Sequence, residues 1–330
     1  MGILVSVIIP TYNRCALLRE AIESLWNQSL PAICYEIIVV DNLSTDGTAE
    51  MVAELQSQSP CALVYHRMQQ NLGPANSRNT GVSIARADIV AFTDSDCRVG
   101  PEWLARGLNA FKDGEDIAFV SGQTYPKPDQ PLTFFSIGNP LRGENPTYPT
   151  ANIFYRKKTF LEVGGFDLTV DFGQHGLWPF ECCDTELAWR MKERGYRCVY
   201  APDVIVYHEI MRVSPKNWLI HHARFAMVPF LIRRYPAIRV KLLWWGPFAL
   251  ADNVWFYVAV LGLLLAWPTK GWALLLSLPF IVRAAIVPGR EFSIKRLPVL
   301  AGRIVFLGLR HAVITSSLIY SSIRARTIVL

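Results

Sequence analysis

The chain of 330 residues is predicted to be an α/β protein, with a doubly wound, mostly parallel sheet followed by a basic helical region at a membrane. Strand-like and helix-like segments alternate over the first 125 residues, which is typical of right-handed βαβ units. Charge then divides the chain: residues 1–209 carry 17 Lys and Arg against 25 Asp and Glu, whereas residues 210–330 carry 16 against 2. Because the basic part also contains long apolar runs, we expect it to face anionic membrane lipids and not nucleic acid.

The strands and helices of the first part are assigned from hydrophobic spacing. A β-branched run at residues 5–9 predicts a buried strand, and the apolar residues between 16 and 26 recur on one helix face. The same two patterns then repeat along the chain. They predict strands over residues 5–9, 36–40, 63–66, 89–92 and 117–121, and helices over residues 16–26, 48–55, 74–85 and 103–111.

Residues 122–180 are rich in Pro and Gly and have no sustained periodicity, so we expect a long functional loop region with short elements. Regular structure resumes with a helix over 184–194, which Gly195 ends, and with strands over 198–200 and 204–207. Together these segments predict a folded domain over residues 1–210.

The basic part begins with residues 211–244, which hold seven Lys or Arg and no acid, interleaved with aromatic side chains. This composition is typical of amphipathic helices that lie in a lipid headgroup layer. Residues 245–330 form the predicted membrane region. Its first stretch, 245–267, carries one acid, Asp252, and as a helix would span about 35 Å, enough to cross a hydrocarbon core of about 30 Å.

A second apolar stretch, residues 272–287, would complete a membrane hairpin with both flanks in the cytoplasm, by the positive-inside rule. As a helix it is only about 24 Å long, so Arg283 would reach back to the interface. In the last predicted helix, 299–323, polar residues recur every seven positions, which favours an interfacial over a spanning helix. For the whole basic part, the alternative is a buried helical core of a larger soluble protein, which the charge asymmetry disfavours. The heptad residues, continued one step beyond that helix, are Arg303, Arg310, Ser317 and Arg324.

Seven scattered cysteines without a Cys-x-x-Cys pair predict neither a disulfide framework nor a zinc site. Reduced thiols are typical of a cytosolic compartment. The amino terminus has no basic segment and no cleavage site before its first strand, so no signal peptide is predicted.

Polar segments follow several of the predicted strands. Because the carboxyl ends of parallel strands meet at one edge of a sheet, these segments should line one crevice, where doubly wound folds bind nucleotides. Asp94 and Asp96 come directly after a buried strand, and such a pair can hold a divalent cation against a diphosphate. Each residue alone has an ordinary alternative as a turn or cap residue. The segments are residues 10–14, 41–42, 71–74 with Arg78 in the helix that follows, and 93–96.

Seven motifs, in their order and spacing over residues 3 to 210, resemble family 2 glycosyltransferases of the GT-A fold. They are Val-Ser-Val-Ile-Ile-Pro-Thr-Tyr-Asn-Arg (5–14), Ile-Val-Val-Asp-Asn-Leu-Ser-Thr-Asp-Gly-Thr (38–48), Asn-Leu-Gly-Pro-Ala-Asn-Ser-Arg-Asn-Thr-Gly (71–81), Asp-Ser-Asp (94–96), Val-Gly-Gly-Phe-Asp (163–167), Cys-Asp-Thr-Glu-Leu-Ala-Trp-Arg (183–190) and Tyr-Ala-Pro-Asp-Val-Ile-Val-Tyr-His (200–208).

The resemblance implies a donor site for a nucleotide-diphosphate sugar. Asp96, with Asp94, would engage the diphosphate and a divalent cation, Mn²⁺ or Mg²⁺, and His208 would join the metal ligands. The nucleoside would be held by Asp41 and by the turn that follows the first strand, where Tyr12 can stack on the base. The predicted donor-binding residues are Pro10, Thr11, Tyr12, Asn13, Arg14, Asp41, Arg78, Asp94 and Ser95.

The resemblance also implies an inverting reaction in which Asp184 is the catalytic base. Cys183 replaces the usual Glu before that base, which alters the local field at Asp184. Glu186 replaces a following Asp, which preserves the charge. An inverting transfer needs one carboxylate on the acceptor side and a cation at the leaving group, and both are supplied. Further candidates on the acceptor side are Asn152, Gly165, Trp178 and Glu186.

These features predict a membrane-attached enzyme whose catalytic domain faces the cytoplasm and whose acceptor is a lipid-linked saccharide or other surface-glycan precursor. A Gln-x-x-Arg-Trp signature is absent, which favours single addition over polymerisation. Two alternatives remain: a sugar-nucleotide pyrophosphorylase, and a catalytically inactive membrane scaffold that retains the fold. His221 and His222 lie in no motif and are expected to face solvent or headgroups.

Overall fold

The computed structural model describes residues 2–131, 133–138, 143–168, 182–286 and 297–330. The chain divides into two compact units. The first contains the described residues up to Leu168 together with residues 182–212, and the second begins at Val213.

The first unit is built on an eight-stranded sheet in the order β3-β2-β1-β4-β8-β6-β9-β5, and β7 and β10 form a separate two-stranded ribbon. The four strands on the β3 side are parallel to one another. The strands are β1 (Val5–Thr11), β2 (Tyr35–Asp41), β3 (Ala62–Arg67), β4 (Ile89–Phe92), β5 (Cys97–Val99), β6 (Ile117–Pro126), β7 (Ser136–Ile137), β8 (Ile153–Arg156), β9 (Arg197–His208) and β10 (Met211–Arg212).

The predicted fold class is confirmed, with a more mixed sheet than a doubly wound fold requires. β8 is antiparallel to both β4 and β6, and β5 is antiparallel to β9. The pairing of β6 with β9 is again parallel. All seven residues of β1 and of β2 are buried, because helices cover both faces of a parallel sheet.

Six α-helices lie in the described residues of this unit, and those predicted from spacing begin and end within a few residues of the prediction. β5 and β8 were not expected, and the two strands predicted between 198 and 207 are one continuous strand, β9. The helices are α1 (Cys15–Trp26), α2 (Thr48–Gln58), α3 (Gly73–Ile84), α4 (Trp103–Asn109), α5 (Lys157–Glu162) and α6 (Cys183–Glu193).

The second unit is helical. Its helices are α7 (Pro215–His222), α8 (Met227–Arg234), α9 (Ile238–Leu242), α10 (Ala251–Leu264), α11 (Leu278–Ala285) and α12 (Leu297–Ala325).

The membrane helices differ from the prediction in length. α10 has 14 residues, about 21 Å, because the chain turns between Trp244 and Phe248 before the helix begins. It is therefore shorter than the predicted span over 245–267. Within the described ranges, Pro298–Ala325 is the one helix long and apolar enough to cross a membrane, with a mean hydropathy of 1.4. The end of the predicted stretch 272–287 lies outside the described residues.

Candidate active site

The polar segments predicted to share one edge of the sheet do meet there. Thr11 at the end of β1 is in register with Asp41 at the end of β2. The backbone N–H of Asn42 donates to the carbonyl of Thr11 at 2.9 Å, and that of Thr93 donates to Ile8 at 3.4 Å. The turn after β1, the turn after β2 and the segment after β4 therefore line one crevice.

A cluster of four side chains lies at this edge. One ligand atom from each of Asp94, Asp96, Cys97 and His208 falls within 4.8 Å of the others. His208 reaches the cluster because β5 pairs with β9 and places Cys97 opposite His208. Its Nε2 lies 3.6 Å from Oδ1 of Asp96. Three of these residues were predicted metal ligands, and Cys97 was not.

The cluster suits a hard divalent cation. Asp96 is 3% exposed, and its Oδ1 has no hydrogen-bond partner among the residues that the structure describes. A buried carboxylate oxygen without a partner is costly unless a cation or donor satisfies it. Burial, with the charges of Asp94 and Asp96, raises the pKa of the Cys97 thiol well above its usual value, which favours the neutral thiol. The carboxylates and the His208 imidazole are accordingly the fitting ligands.

Each of the two aspartates has an arginine beside it. Arg14 donates to Oδ2 of Asp96, and Nη2 of Arg78 lies 2.7 Å from Oδ1 of Asp94. Arg78 is buried. Burial alone would lower the pKa of its guanidinium, but Asp94 and Asp184 act in the opposite direction and the net effect is a raised pKa. Arg78 is thus a fixed cation between the paired aspartates and the start of α6.

The side of the crevice predicted to hold the nucleoside is organised by Asp41. This carboxylate is fully buried and accepts hydrogen bonds from the backbone N–H of Ser44 at 2.9 Å and from the Tyr65 hydroxyl at 2.6 Å. Burial and this bond to Asp41 raise the pKa of Tyr65. Both Asp41 oxygens are already engaged, so a ligand there would share them with the turn.

The turn after β1 is held in an unusual conformation. Asn13 has a φ of 50°, in the left-handed region, and its backbone N–H donates to Oγ of Ser44 at 2.9 Å. Its side-chain oxygen accepts from the backbone of Thr45 at 2.8 Å. Asn tolerates this conformation better than most residues do. The result presents Tyr12, 48% exposed, beside the crevice, while Pro10 and Ser95 are buried at the same edge.

Asp184 lies in the first turn of α6, where a carboxylate is favoured by the helix dipole. It is half-buried, and its Oδ1 accepts from the backbone N–H of Thr185 at 2.7 Å. The Thr185 hydroxyl donates to the carbonyl of Thr147 at 2.9 Å, which fixes this turn against the preceding loop. The predicted base is therefore positioned by backbone as well as by its helix.

The loop from 163 to 166 follows α5 and forms hydrogen bonds with both α3 and α6. Asn79, next to Arg78 in α3, both donates to and accepts from the backbone of Phe166 at 2.9 Å. Arg190 of α6 donates to the carbonyl of Val163 at 2.7 Å and to that of Gly165 at 2.5 Å. Gly165 has a φ of +65°, and a Cβ there would lie 2.7 Å from Oδ1 of Asn79, so glycine is required.

Two predicted acceptor-side residues have structural roles instead. Asn152 is buried, its amide donates to the carbonyls of Gln123 and Val204, and its oxygen accepts from the Trp103 indole. Glu186 is fully buried and pairs with Arg190 at 2.9 Å.

Neither residue presents a free polar group to an acceptor. Gly165 acts through the loop just described, and Trp178 lies outside the described residues.

Tyr155 is a residue of this region that spacing did not indicate. It lies in β8, fully buried, and its hydroxyl has no hydrogen-bond partner in the described part of the chain. Burial first, then the charge of Asp184, raises its pKa. No sequence signal marks it, because β8 lies in the Pro- and Gly-rich segment. Cys97 could have been found, since it directly follows Asp-Ser-Asp.

Several glycosyltransferases are similar to this chain over one third to two thirds of its length. It is 29% identical over 213 residues to glycosyltransferase AglE of Haloferax volcanii, covering 62% of this chain and 66% of that protein. It is 34% identical over 129 residues to a poly(ribitol-phosphate) beta-glucosyltransferase of Bacillus spizizenii, covering 37% of this chain and 20% of that protein. It is 26% identical over 236 residues to a glucosyl-dolichyl phosphate glucuronosyltransferase of Haloferax volcanii, covering 66% of this chain and 72% of that protein.

The chain thus spans about two thirds of the first of these relatives and a fifth of the second.

Solved structures share the fold. Mannosyltransferase PcManGT from Pyrobaculum calidifontis, in complex with GDP-Man and Mn²⁺, superposes with a TM-score of 0.59 at 19% identity, covering 99% of this chain and 88% of that one. TarS 1-349 of S. aureus in complex with UDP superposes with a TM-score of 0.51 at 19% identity, covering 95% of this chain and 91% of that one.

Two family models match the chain. The model described as glycosyl transferase family 2 matches residues 6–168, and the model described as glycosyl transferase family group 2 matches residues 89–287, more than half of the chain. With the GT-A-like mixed sheet and the strand-edge carboxylates, these matches show that the chain belongs to glycosyltransferase family 2.

Proposed function

We propose that this protein transfers a sugar, with inversion, from a nucleotide-diphosphate sugar to a hydroxyl group of a lipid-linked saccharide or other surface-glycan precursor. One observation carries the proposal. The Asp94, Asp96 and His208 cluster lies at the strand edge, while Asp184 begins a separate helix, and Arg78 interacts with carboxylates of both. An inverting transfer needs this separation between the leaving-group side and the acceptor side.

On the acceptor side, Asp184 would take the proton of the attacking hydroxyl. The helix N-terminus and the bond from the Thr185 backbone favour its ionised form, which is the form that can accept a proton. The nearby Arg78 acts in the same direction. Cys183, in place of a carboxylate, leaves Asp184 without a second negative charge from the preceding residue.

On the donor side, Asp94, Asp96 and His208 would hold a divalent cation, Mn²⁺ or Mg²⁺, which when bound neutralises charge on the departing diphosphate. Arg14 and Arg78 already lie beside these carboxylates and would orient the phosphates. Tyr12 is exposed enough to stack on the base. A GDP-Man and Mn²⁺ complex of a protein with this fold supports the assignment.

The acceptor and the location rest on the second unit. We propose that residues 1–210 form the catalytic domain, residues 211–244 interfacial helices and residues 245–330 a membrane region that holds the enzyme on the cytoplasmic leaflet. The apolar helix Pro298–Ala325 and the excess of Lys and Arg after residue 210 support this. A relative named for acting on a glucosyl-dolichyl phosphate supports a lipid-linked acceptor.

The test uses full-length protein in detergent and a panel of nucleotide sugars, with and without Mn²⁺ or Mg²⁺. We expect cation-dependent binding of one donor and its slow hydrolysis. Asp184→Asn should lower transfer by about a thousandfold, within the range of general base catalysis, and leave donor binding nearly unchanged. The matched control is Asp203→Asn, whose side chain is 77% exposed and outside the crevice; it should retain activity.

Three outcomes would contradict the proposal. Absence of donor binding with either cation would favour the inactive scaffold. Loss of donor binding in Asp184→Asn would move that residue to the donor side. Recovery of the full-length protein in the soluble fraction without detergent would contradict the membrane assignment. The pyrophosphorylase alternative has no support, because both matching family models are glycosyl transferases.

A further inference from the structure

The second unit contains a cavity of about 170 Å³ that the sugar transfer does not use. One face of α12 lines it, because positions 303, 307, 310 and 311 follow the i, i+4, i+7, i+8 spacing of a single helix face. Residues of α10 and α11 complete the wall. The lining residues are Asp252 and Trp255 of α10, Phe280, Arg283 and Ala284 of α11, and Arg303, Leu307, Arg310 and His311 of α12.

Positive charge exceeds negative charge in this cavity. Of its described lining residues, three are arginines and one, Asp252, is an acid. Arg283 is paired with Asp252 at 2.6 Å, and Nε of Arg303 donates to the carbonyl of Ala284 at 2.7 Å. Nε of Arg310 is buried and has no hydrogen-bond partner among the described residues. A buried guanidinium with an unsatisfied donor, as at Arg310, favours a ligand with several oxygen acceptors and a negative charge.

Exposed apolar side chains lie next to the lining residues along α11 and α12. Val282 of α11 is 53% exposed, and Val305 and Leu309 of α12 are 59% and 46% exposed. If α12 crossed a bilayer, Arg310 would lie about 20 Å along the helix, within the hydrocarbon, where an arginine is costly. At headgroup depth the same arginines would meet phosphate groups while the exposed apolar side chains meet acyl chains.

We propose that this cavity binds the phosphate group of an anionic membrane phospholipid. Arg303 and Arg310 contact the phosphate oxygens, with Arg283 available from its pair with Asp252. The apolar wall of Trp255, Phe280 and Leu307 contacts the adjoining part of the acyl chains. The inference is independent of the proposed sugar transfer, because all of the lining residues lie in the second unit.

The test is native mass spectrometry of full-length protein in detergent, titrated with dioctanoyl phosphatidylglycerol. We expect one tightly bound lipid, weaker binding of dioctanoyl phosphatidylcholine, whose choline opposes the arginines, and no displacement by an equal concentration of inorganic phosphate. Arg310→Gln should weaken the binding of phosphatidylglycerol about tenfold or more. Asp252→Asn should strengthen it, because the substitution frees Arg283 from its carboxylate; misfolding would not produce such a gain.

Arg324→Gln is the matched control, because this arginine lies on the same helix and face but outside the cavity, over the ring of Tyr320. It should bind phosphatidylglycerol as the unmodified protein does. Equal weakening by the Arg310 and Arg324 variants would show general charge attraction and overturn the site. Displacement of the lipid by inorganic phosphate would overturn the lipid assignment. Unchanged binding in Arg310→Gln, or weaker binding in Asp252→Asn, would overturn the roles of those residues.

Discussion

The two units of this protein treat charge differently. In the first, several carboxylates at buried or half-buried positions lie beside a basic side chain from the same unit. After residue 212, where most of the second unit lies, the sequence offers only Asp252 and Glu291 as acids against fifteen Lys and Arg. The pairs of the first unit are Arg14 with Asp96, Arg78 with Asp94, Arg86 with Glu36, Lys127 with Glu209, and Arg190 with Glu186.

The difference indicates where each unit depends on a ligand. Charges of the first unit are compensated within the protein, so its substrates must exchange partners with existing ion pairs. The sequence after residue 212 has a large excess of Lys and Arg over Asp and Glu, and a membrane surface supplies anions that would attract this excess. A substitution in one unit should therefore leave the ligand of the other unaffected.

Among the substitutions that test this difference between the units, the largest effect is expected at Asp96. Asp96→Asn removes the buried carboxylate that faces His208, so cation-dependent donor binding and transfer should fall by roughly a hundredfold or more, since even groups around metal ligands are worth ten- to a hundredfold. Binding is measured by calorimetry with and without Mn²⁺. Binding of phosphatidylglycerol should remain unchanged in the same variant; if it is lost too, the separation of the two units is wrong.

A smaller effect, on the stability of the fold, is expected when the cation of a buried ion pair in the first unit is removed. Lys127 is 1% exposed and lies 3.0 Å from Glu20 and 2.9 Å from Glu209. Lys127→Met leaves Glu209 without its cation and Glu20 with Arg98 alone. The substitution should lower the free energy of unfolding by about 2–3 kcal/mol, below the ~3–5 kcal/mol of a fully buried pair, because Glu20 is part-exposed and keeps that arginine. Denaturant unfolding is the measurement. Lys158→Met, at a side chain 88% exposed, is the control and should unfold as the unmodified protein does.

Loss of the Lys127 ammonium should also weaken cation binding by Asp96 and His208, because the backbone of each ion-paired residue bonds to the cluster. The backbone N–H of Lys127 donates to the carbonyl of His208, and that of Glu209 donates to Asp96, both at 3.0 Å. We expect weaker cation binding in Lys127→Met than in Lys158→Met.

The smallest expected effect is a pH dependence of the second unit. Burial, followed by the charge of Arg224, lowers the pKa of His221 to about 4, and burial likewise lowers that of His222 to about 4. Unfolded histidines titrate near pH 6.5, so protons bind the unfolded chain more strongly. This contribution to stability is complete above pH 6.5 and is lost as the pH falls toward 4. The melting temperature in detergent should fall over that range.

The double variant His221→Gln and His222→Gln should show a shallower fall below pH 6.5, while its melting temperature at pH 8 stays close to that of the unmodified protein. An equally steep fall in the variant would assign the pH dependence to other groups. His222 is half-buried, and its Nδ1 lies 2.7 Å from the carbonyl oxygen of Trp218.

Long, regular elements could be predicted from spacing because their burial repeats over several turns or residues. β4 was predicted to the residue, and α1 to within one. β5 has three residues and is defined by its pairing with β9, more than 100 residues away, so no local pattern marks it. β8 lies in a Pro- and Gly-rich segment and becomes a strand because β4 and β6 flank it.

At the site, the positions of the acidic residues could be predicted but their partners could not. Asp94, Asp96 and His208 were expected together and do meet. Arg14 was expected to meet phosphate, and its bond to Asp96 depends on the left-handed turn at Asn13, which depends in turn on Ser44 from another segment. Such side-chain contacts depend on tertiary packing that residue spacing alone does not specify.

The loop from 163 to 166 has a consequence for how this enzyme could diversify. Asn79 and Arg190 hold it through main-chain atoms only, so the distance between the helix of Arg78 and the helix of Asp184 depends little on which side chains the loop carries. Gly165 is an exception, and so is Phe166, whose buried ring packs against Phe92 and Phe160. Neighbouring side chains could therefore change while the interval between Arg78 and Asp184 stays constant.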